Sequence, residues 1–489
     1  MANSLAQILY RLMFTQIVWA TEFHVNCPIP LKGSNFVSSP NIRSTLDILW
    51  SSLFTIFICT WTVQHLTVPP QDDKGGLERT IRSTWKKTKW MLVTLLLPEY
   101  LLGKALGEFT AALNSERRMK EINNGRKWTR THAFYANMGG FILGRQPERR
   151  RSPHSSVQLS DSHDNTIKSH QPSKNPGFRK EMNDNVEVAE CGEKIASSIR
   201  ICPSNLESED GLPVAVNSLH IREFLKSGVI TELPSKDEIN DKSKGDVVVK
   251  GIALFHIVWL CIELIGRKIR GLPCAQLEIA ALGFAASAFF TYLLWFEKLQ
   301  DVRVPIYIHP AKPLEYTDKR SLFILDGLSY FRNYFGLDEQ SRQPSSYVPN
   351  DFINEEGIFG KMKASDRRIW WWAPQDLGFL LGAAIFGACH CLAWNFEFPT
   401  SIEQTLWRAA SVIVATILPP FYLFWLFLDT SPWLSKGFYK LALGIARFVT
   451  ALLYVSARIY LLVGMPRSLF YLPPEAFVST WSSSIPHVG

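Results

Sequence analysis

The sequence predicts an all-α fold, a multipass transmembrane helical bundle, and three observations predict it. Mean hydropathy over the 489 residues is near zero, an average over segments of two unlike kinds. Several windows of about 20 residues are almost wholly apolar, the length at which a helix crosses the hydrocarbon core of a bilayer. The chain also carries 31 Phe, 16 Trp and 14 Tyr, side chains that collect at membrane interfaces.

Seven runs are candidates in chain order: Thr45 to Leu66, Trp90 to Leu106, Val247 to Ile265, Ala275 to Phe296, Trp370 to Trp394, Thr405 to Leu428 and Leu441 to Val463. The second run contains Pro98, Glu99, Lys104 and then Glu108, while Leu101, Leu102, Ala105, Leu106, Phe109, Ala112 and Leu113 recur at helical spacing. One apolar and one charged face predict an interfacial amphipathic helix there rather than a span. Six spans are therefore preferred over seven.

Flanking charge sets the orientation, because Lys and Arg in short loops favour the cytosolic side. Lys74, Arg79, Arg82, Lys86, Lys87 and Lys89 follow the first run, whereas the loop around Asn395 has no Lys or Arg before Arg408. Six spans with both ends outside satisfy this and place Lys361, Lys363, Arg367, Arg368, Lys436 and Lys440 inside. Arg267, Lys268 and Arg270 then fall outside and are the exception.

The resulting organisation is an outer N-terminal segment (1–44), a first span (45–66), a basic cytosolic loop with the interfacial helix (67–143), an insertion (144–215), the main bundle (216–465) with a cytosolic loop at 297–369, and an outer C-terminal segment (466–489). The opening "MANSLAQILYRLMFTQIVWATE" reads either as a cleavable signal, against which Arg11 counts, or as an amphipathic lead-in. The insertion is rich in Ser and charge with Phe178 as its one aromatic, so it buries too little apolar surface to order and is predicted to be disordered. Its "RRRSPHSS" reads as a solvated charge run or as a phosphorylation target beside anionic lipid. The net charge of +8 fits basic residues at a cytosolic leaflet, and no nucleic-acid module is visible, so membrane lipids and a lipophilic small molecule are the expected partners.

Eight cysteines are too scattered for a disulfide scaffold. Cys389, His390 and Cys391 are adjacent, but neighbours on a helix fan out about 100° apart, so the triplet offers two metal ligands at most. No metal and no cofactor is expected, and His390 reads as a hydrogen-bonded residue at a helix end. Thr400, Ser401, Ile402 and Glu403 match a capping box after Pro399. Trp394, Phe396, Phe398 and Trp407 read as an outer aromatic belt. Gly378 and Gly382 form a small-xxx-small pair, with Gly387 beyond, that permits close helix packing. Pro419 and Pro420 are expected to kink the sixth span, and Gly139 and Gly140 to form a tight turn.

"STLDILWSSLFTIFICTWT" from Ser44, "THAFYANMGGF" from Thr131, "INDKSKGD" from Ile239, "HCLAWNFEFPTSIEQTLWR" from His390 and the tail "RSLFYLPPEAF" with "WSSSIPH" resemble a large family of fungal polytopic membrane proteins, mostly without assigned function. The resemblance covers nearly the whole chain apart from the insertion. It implies the architecture and supplies no catalytic residues.

Function must then come from ionisable residues near or within the spans, which are costly there unless paired or used. Asp47, Glu263, Glu278, Glu403, Arg408 and Arg458 fall toward the outer half, and Asp376 and Arg447 toward the cytosolic half. Arg447 and Arg458 share a face of the last helix. These groups read either as ion pairs that fix helix register or as a shared polar cavity. Walker, HExxH, GxSxG and dinucleotide motifs are not found, nor are the paired aspartate motifs of metal-dependent prenyl transfer.

Three function classes remain. The first is a membrane enzyme acting on a lipophilic substrate, such as an isoprenoid, by acid-initiated, metal-independent cyclisation or isomerisation, with Glu278, Glu263 and Asp47 as the acids and aromatic faces stabilising cationic charge. Fungal membrane-bound terpene cyclases are similar in logic, by analogy rather than motif. The second is a transporter or channel for a small solute, which the lack of an internal repeat disfavours. The third is a receptor or scaffold with a regulatory cytosolic loop.

Overall fold

The computed structural model describes residues 30, 33–38, 42–71, 76–122, 127–144, 214–243, 247–312, 327–329, 348–350, 352–354, 374–430 and 435–480. All belong to one compact unit built from 1–146 and 213–489. The N-terminal lead-in, nearly all of the insertion, most of the 297–369 loop, with Lys361, Lys363, Arg367 and Arg368, and also Cys27, Cys191 and Cys202 lie outside the described residues.

The unit is mostly helical: α1 (Thr45–Trp61), α2 (Gly76–Leu96), α3 (Pro98–Lys120), α4 (Arg130–Asn137), α5 (Ser218–Ser227), α6 (Lys236–Asn240), α7 (Val247–Ile269), α8 (Gln276–Leu294), α9 (Pro374–Cys391), α10 (Ser401–Thr416), α11 (Leu418–Thr430) and α12 (Lys436–Ser468). Three helices are long and apolar enough to cross a membrane, namely Val249–Ile269, Gln276–Leu294 and Gly437–Tyr471, or four if the bent pair α2 and α3 counts as one. The shorter α1 is apolar as well. Their outward faces are apolar: Leu46, Trp50, Leu53 and Phe57 on α1, Ile252, Phe255 and Val258 on α7, and Ile445, Phe448 and Leu452 on α12 are all exposed. Such continuous apolar surface is foreign to a water-facing protein.

The all-α expectation needs one addition. Phe141–Leu143 (β1) pairs antiparallel with Val214–Val216 (β2) and parallel with Ile306–Ile308 (β3). Gly327–Ser329 (β4) and Phe352–Asn354 (β5) form a second, two-stranded ladder. Three-residue strands are too short to show an alternating pattern in the sequence. β1 follows the turn expected at Gly139 and Gly140. Gly139 takes φ +81°, and a Cβ on Gly140 would lie 2.5 Å from the Tyr135 ring.

The second run is where the sequence reading fails. It is broken at Leu97, where Pro98 lacks the N–H that would continue α2, and the two helices diverge by 109°. Lys87 of α2 pairs with Asp301 at 3.2 Å, and Glu108 of α3 with Lys298 at 2.5 Å. Both legs thus return to the segment just beyond α8. The first turns of α3 are not interfacial: Glu99, Tyr100, Leu101, Leu102, Gly103, Lys104 and Ala105 are buried. Amphipathic exposure belongs instead to α2, where Leu77, Ile81, Trp85, Leu92 and Leu96 are exposed along one helix that also carries Arg79, Arg82 and Lys89.

α3 is buried because α9 lies directly on it. A Cβ on Gly378 would fall 2.8 Å from Leu102 O and from Gly103 Cα, and one on Gly382 2.7 Å from Glu99 Cα. Gly387 makes the equivalent approach to Ala415 of α10. The expected small-residue packing is present, against a helix that the sequence did not place in the interior. The sixth run breaks as its prolines predict, α10 ending at Thr416 and α11 starting at Leu418.

Candidate functional site

Two charged clusters bear on the predicted acids. In the first, Arg43 Nη2 bonds both Glu278 Oε1 and, at 3.0 Å, Glu263 Oε1. Glu278 reaches back to the Ala275 N–H at 2.7 Å, capping the α8 N-terminus. Burial works against the Arg43 charge, yet Glu278 and Glu263 offset it and hold the guanidinium pKa above its ordinary value. Arg267 beside them is fully buried and donates to the carbonyls of Pro273, Ala476 and Val478 at 2.8–3.1 Å. This cation, one of the three exceptions to the flanking-charge pattern, is a clamp on the C-terminal segment; the other two, Lys268 and Arg270, are exposed. Burial, with Glu278 adding to it, pushes the Cys274 thiol up to about 11.

This arrangement corrects the first assignment of acids. Glu278 and Glu263 do meet, but on a shared cation; burial resists the Glu278 charge, yet Arg43 outweighs it and holds that carboxyl below its ordinary pKa, and a carboxylate held so is a poor proton donor. The ion-pair partner of both is Arg43. Asp47 is the N3 residue of the α1 capping box, accepting from the Ser44 N–H at 2.9 Å. It does not face a common chamber.

The remaining candidates scatter. Glu403 pairs with Arg467 at 2.9 Å at an exposed rim, which leaves only half of the capping box, the Thr400 Oγ1 bond to the Glu403 N–H. Arg408 is half-buried, bonded to the Trp394 carbonyl at 2.9 Å and lying 5.3 Å from the Trp394 ring. Asp376 is in the first turn of α9, and Arg447 is half-buried on α12. Trp407 is not part of an outer belt: it is fully buried, with Nε1 donating to the His390 carbonyl at 3.2 Å.

The second cluster lies at the break between α2 and α3. Leu95 and Leu96 end a helix whose last carbonyls have no intrahelical donors. Arg458 supplies them, Nε to Leu96 O at 3.0 Å and Nη2 to Leu95 O at 2.9 Å. One residue past Pro98, Glu99 sits in the first turn of α3, where the helix dipole favours a carboxylate. Tyr454, one turn before Arg458 on α12, donates to Glu99 Oε1. The Arg458 guanidinium lies 4.1 Å over the Phe386 ring, and the His390 ring 4.5 Å from the same ring. His390 Nδ1 donates to Phe386 O at 2.8 Å, so the neutral ring presents Nε2 as an acceptor.

Three polar atoms of this cluster are buried without a hydrogen-bond partner: Glu99 Oε2, Arg458 Nη1 and His390 Nε2. Their side chains are at most 1 % exposed. Leaving a buried polar group unmatched costs about 1–3 kcal/mol, more for a charged one, and such groups in a native fold call for a guest or a role. Arg458 and His390 were named from the sequence. Glu99 and Tyr454 were not assigned a role, although two signals marked them: Pro98 restarts a helix at Glu99, and Tyr454 and Arg458 are i, i+4 on one face.

Among the described residues, no three or more His, Cys, Asp or Glu side chains are grouped to hold a metal ion, and Cys389 and Cys391 are free thiols. No curated protein and no solved structure matches the chain. Residues 23–160 and 179–317, more than half of its length and including Arg43, Glu99, Glu263 and Glu278, match the model of a family of unknown function, DUF8562. The chain belongs to that family.

Proposed function

We propose that this protein is an integral membrane enzyme that moves a proton to or from a lipophilic substrate, with Glu99 as the acid–base residue. The one observation that carries the reading is the set of unpartnered buried atoms, Glu99 Oε2, Arg458 Nη1 and His390 Nε2, beside the faces of Phe386 and Trp407. A substrate epoxide or carbonyl oxygen meets the Arg458 N–H and, when Glu99 is protonated, the Oε2–H there, a substrate hydroxyl can also donate to His390 Nε2, and aromatic faces lie beside any positive charge that develops. Tyr454 holds Glu99 Oε1 and leaves Oε2 as the reacting oxygen. Cyclisation or isomerisation of an isoprenoid is the reaction class, as expected from the sequence, with the acid relocated from Glu278 to Glu99.

The proposal includes six crossings, α1, α7, α8, α9, α10 with α11, and α12, with α2 and α3 as a re-entrant pair that enters and leaves on the cytosolic face and α2 as the interfacial helix; what supports it is that α7, α8 and α12 are each long and apolar enough to cross a membrane. Backbone breaks at membrane depth are tolerated where they line a buried site. The resemblance to fungal polytopic membrane proteins belongs to the same proposal.

Broken helices also occur in transporters, and that favours a proton-coupled carrier as the second reading. Arg458 and the glycine contacts of α9 lock the break in place, which suits a fixed site better than alternating access. The test is expression in a microbial host with comparison of extractable lipophiles. We expect a product pool that falls at least 100-fold in Glu99→Gln and persists in Glu278→Gln preparations of matched yield. An unchanged lipophile profile, together with solute-driven proton flux in proteoliposomes, would overturn the enzyme in favour of the carrier.

A further inference from the structure

Two turns along α3 from Glu99, and not required by its chemistry, is a second buried polar cluster. Lys104 and Lys298, each 2 % exposed, share one carboxylate: Glu108 lies 3.7 Å from Lys104 Nζ and 2.5 Å from Lys298 Nζ. Lys104 also bonds the Asn350 carbonyl, and Lys298 lies 4.1 Å over the Trp295 ring. Lys250 Nζ approaches the Lys298 carbonyl at 3.3 Å. Among the described residues the layer sets Lys104, Lys298 and Lys250 against Glu108 in a site shielded from water. Burial, reinforced by Lys104 and Lys250 and resisted by Glu108, pushes the Lys298 ammonium down to about 8.

Three more atoms here are buried without partners: His65 Nε2, Trp295 Nε1 and Gln300 Oε1. The His65 and Trp295 rings are 5.2 Å apart. His65 Nδ1 is engaged with the Val63 carbonyl at 2.8 Å and so carries the proton, which makes Nε2 an acceptor. Gln300 Nε2 is bonded to the Thr62 and Gln64 carbonyls, leaving Oε1 as a second acceptor. Trp295 Nε1 is a donor only. The set asks for a guest that is anionic, accepts from an indole N–H and ammonium groups, and donates a proton to one of the two acceptors.

We propose that this layer is a binding site for a phosphate monoester, its P–OH donating to His65 Nε2 and its anionic oxygens accepting from Trp295 Nε1 and the Lys298 and Lys104 ammoniums. A neutral headgroup lacks the charge, and a fully substituted diester lacks the proton. The same chemistry is offered by the headgroup of a lipid monoester at the cytosolic leaflet and by free phosphate.

The test uses the full chain in detergent micelles, with native mass spectrometry and titration of dioctanoyl phosphatidic acid, dioctanoyl phosphatidylcholine and inorganic phosphate. We expect one saturable phosphatidic acid per chain, no saturable phosphatidylcholine, and affinity lower by at least tenfold in Lys298→Met and fivefold in Trp295→Phe. Trp295→Phe keeps the ring under Lys298, so it reports on the N–H even where Lys298→Met fails to yield a folded sample. The exposed Lys89→Met serves as the unaffected control. Inorganic phosphate competing at equal affinity assigns the site to free phosphate; weak competition assigns it to a lipid headgroup. The absence of saturable phosphatidic acid and phosphate binding, or equal affinity in the wild type and Trp295→Phe, overturns the proposal and leaves the Glu99 reading untouched.

Discussion

Tyr454 and Glu99, separated by 355 positions in the chain, share a hydrogen bond in the interior. The contact joins α12 to the tip of the α2–α3 pair, and Arg458 one turn further on completes the joint through the Leu95 and Leu96 carbonyls. A helix break that would otherwise bury bare carbonyls is thereby tied to a long apolar helix at the far end of the sequence. Arg458→Lys, which cannot donate to both carbonyls in the same fork geometry, should lower the thermal midpoint in detergent, whereas Arg447→Lys should not. Equal effects of the two changes would remove Arg458 as the cap.

Close packing of α9 on α3 has no room for a side chain at Gly382, where a Cβ would lie 2.7 Å from Glu99 Cα. Gly382→Val should cost on the order of 1–3 kcal/mol through overpacking. Gly251, with nothing within 4 Å, should accept Val at no comparable cost. Fluorescence-detected size-exclusion thermostability separates the two.

Removing Arg43 leaves Glu278 and Glu263 buried without their counter-ion. Arg43→Met should destabilise by about 3–5 kcal/mol, and Arg43→Met with Glu278→Gln should recover most of it. A double-mutant cycle measures the coupling; additive losses would mean that the pair contributes no net interaction.

Lys298 makes stability pH-dependent with a definite sign. Its folded pKa, about 8 against an unfolded value near 10.5, means that the unfolded chain binds more protons between those values, so stability rises with pH across that window. The penalty is fully present below pH 8 and is relieved by about pH 10.5, on the order of 3 kcal/mol in all. In phosphate-free buffer the thermal midpoint of the wild type should therefore gain on that of Lys298→Met from pH 8 to 10. Parallel curves would show that the ammonium is not under strain.

Both ends of the α2–α3 pair are expected on one face of the membrane. Cysteines introduced at the exposed Arg79 and Glu121 should react with an impermeant maleimide from the same side, and Asn395→Cys from the other. Labelling of Arg79→Cys and Glu121→Cys from opposite sides would make the pair a bent span and reverse the later helices.

The sequence by itself determined the helical character, the apolar runs and the local devices within them. The cap at Thr400, the turn at Gly139, the break at Pro419 and the small-residue stripe of α9 are all legible because each depends on neighbours a few positions away. Tertiary structure alone decided which charged groups meet. Glu278 looked like a free acid because its partner, Arg43, is 235 residues distant, and Glu99 looked like the polar side of a surface helix because hydrophobic periodicity cannot say whether a charged face meets water or another helix. Burial converts the same residues from solvated charges into paired, capped or unmatched ones, and burial is a property of the packing of distant segments, which no local pattern encodes.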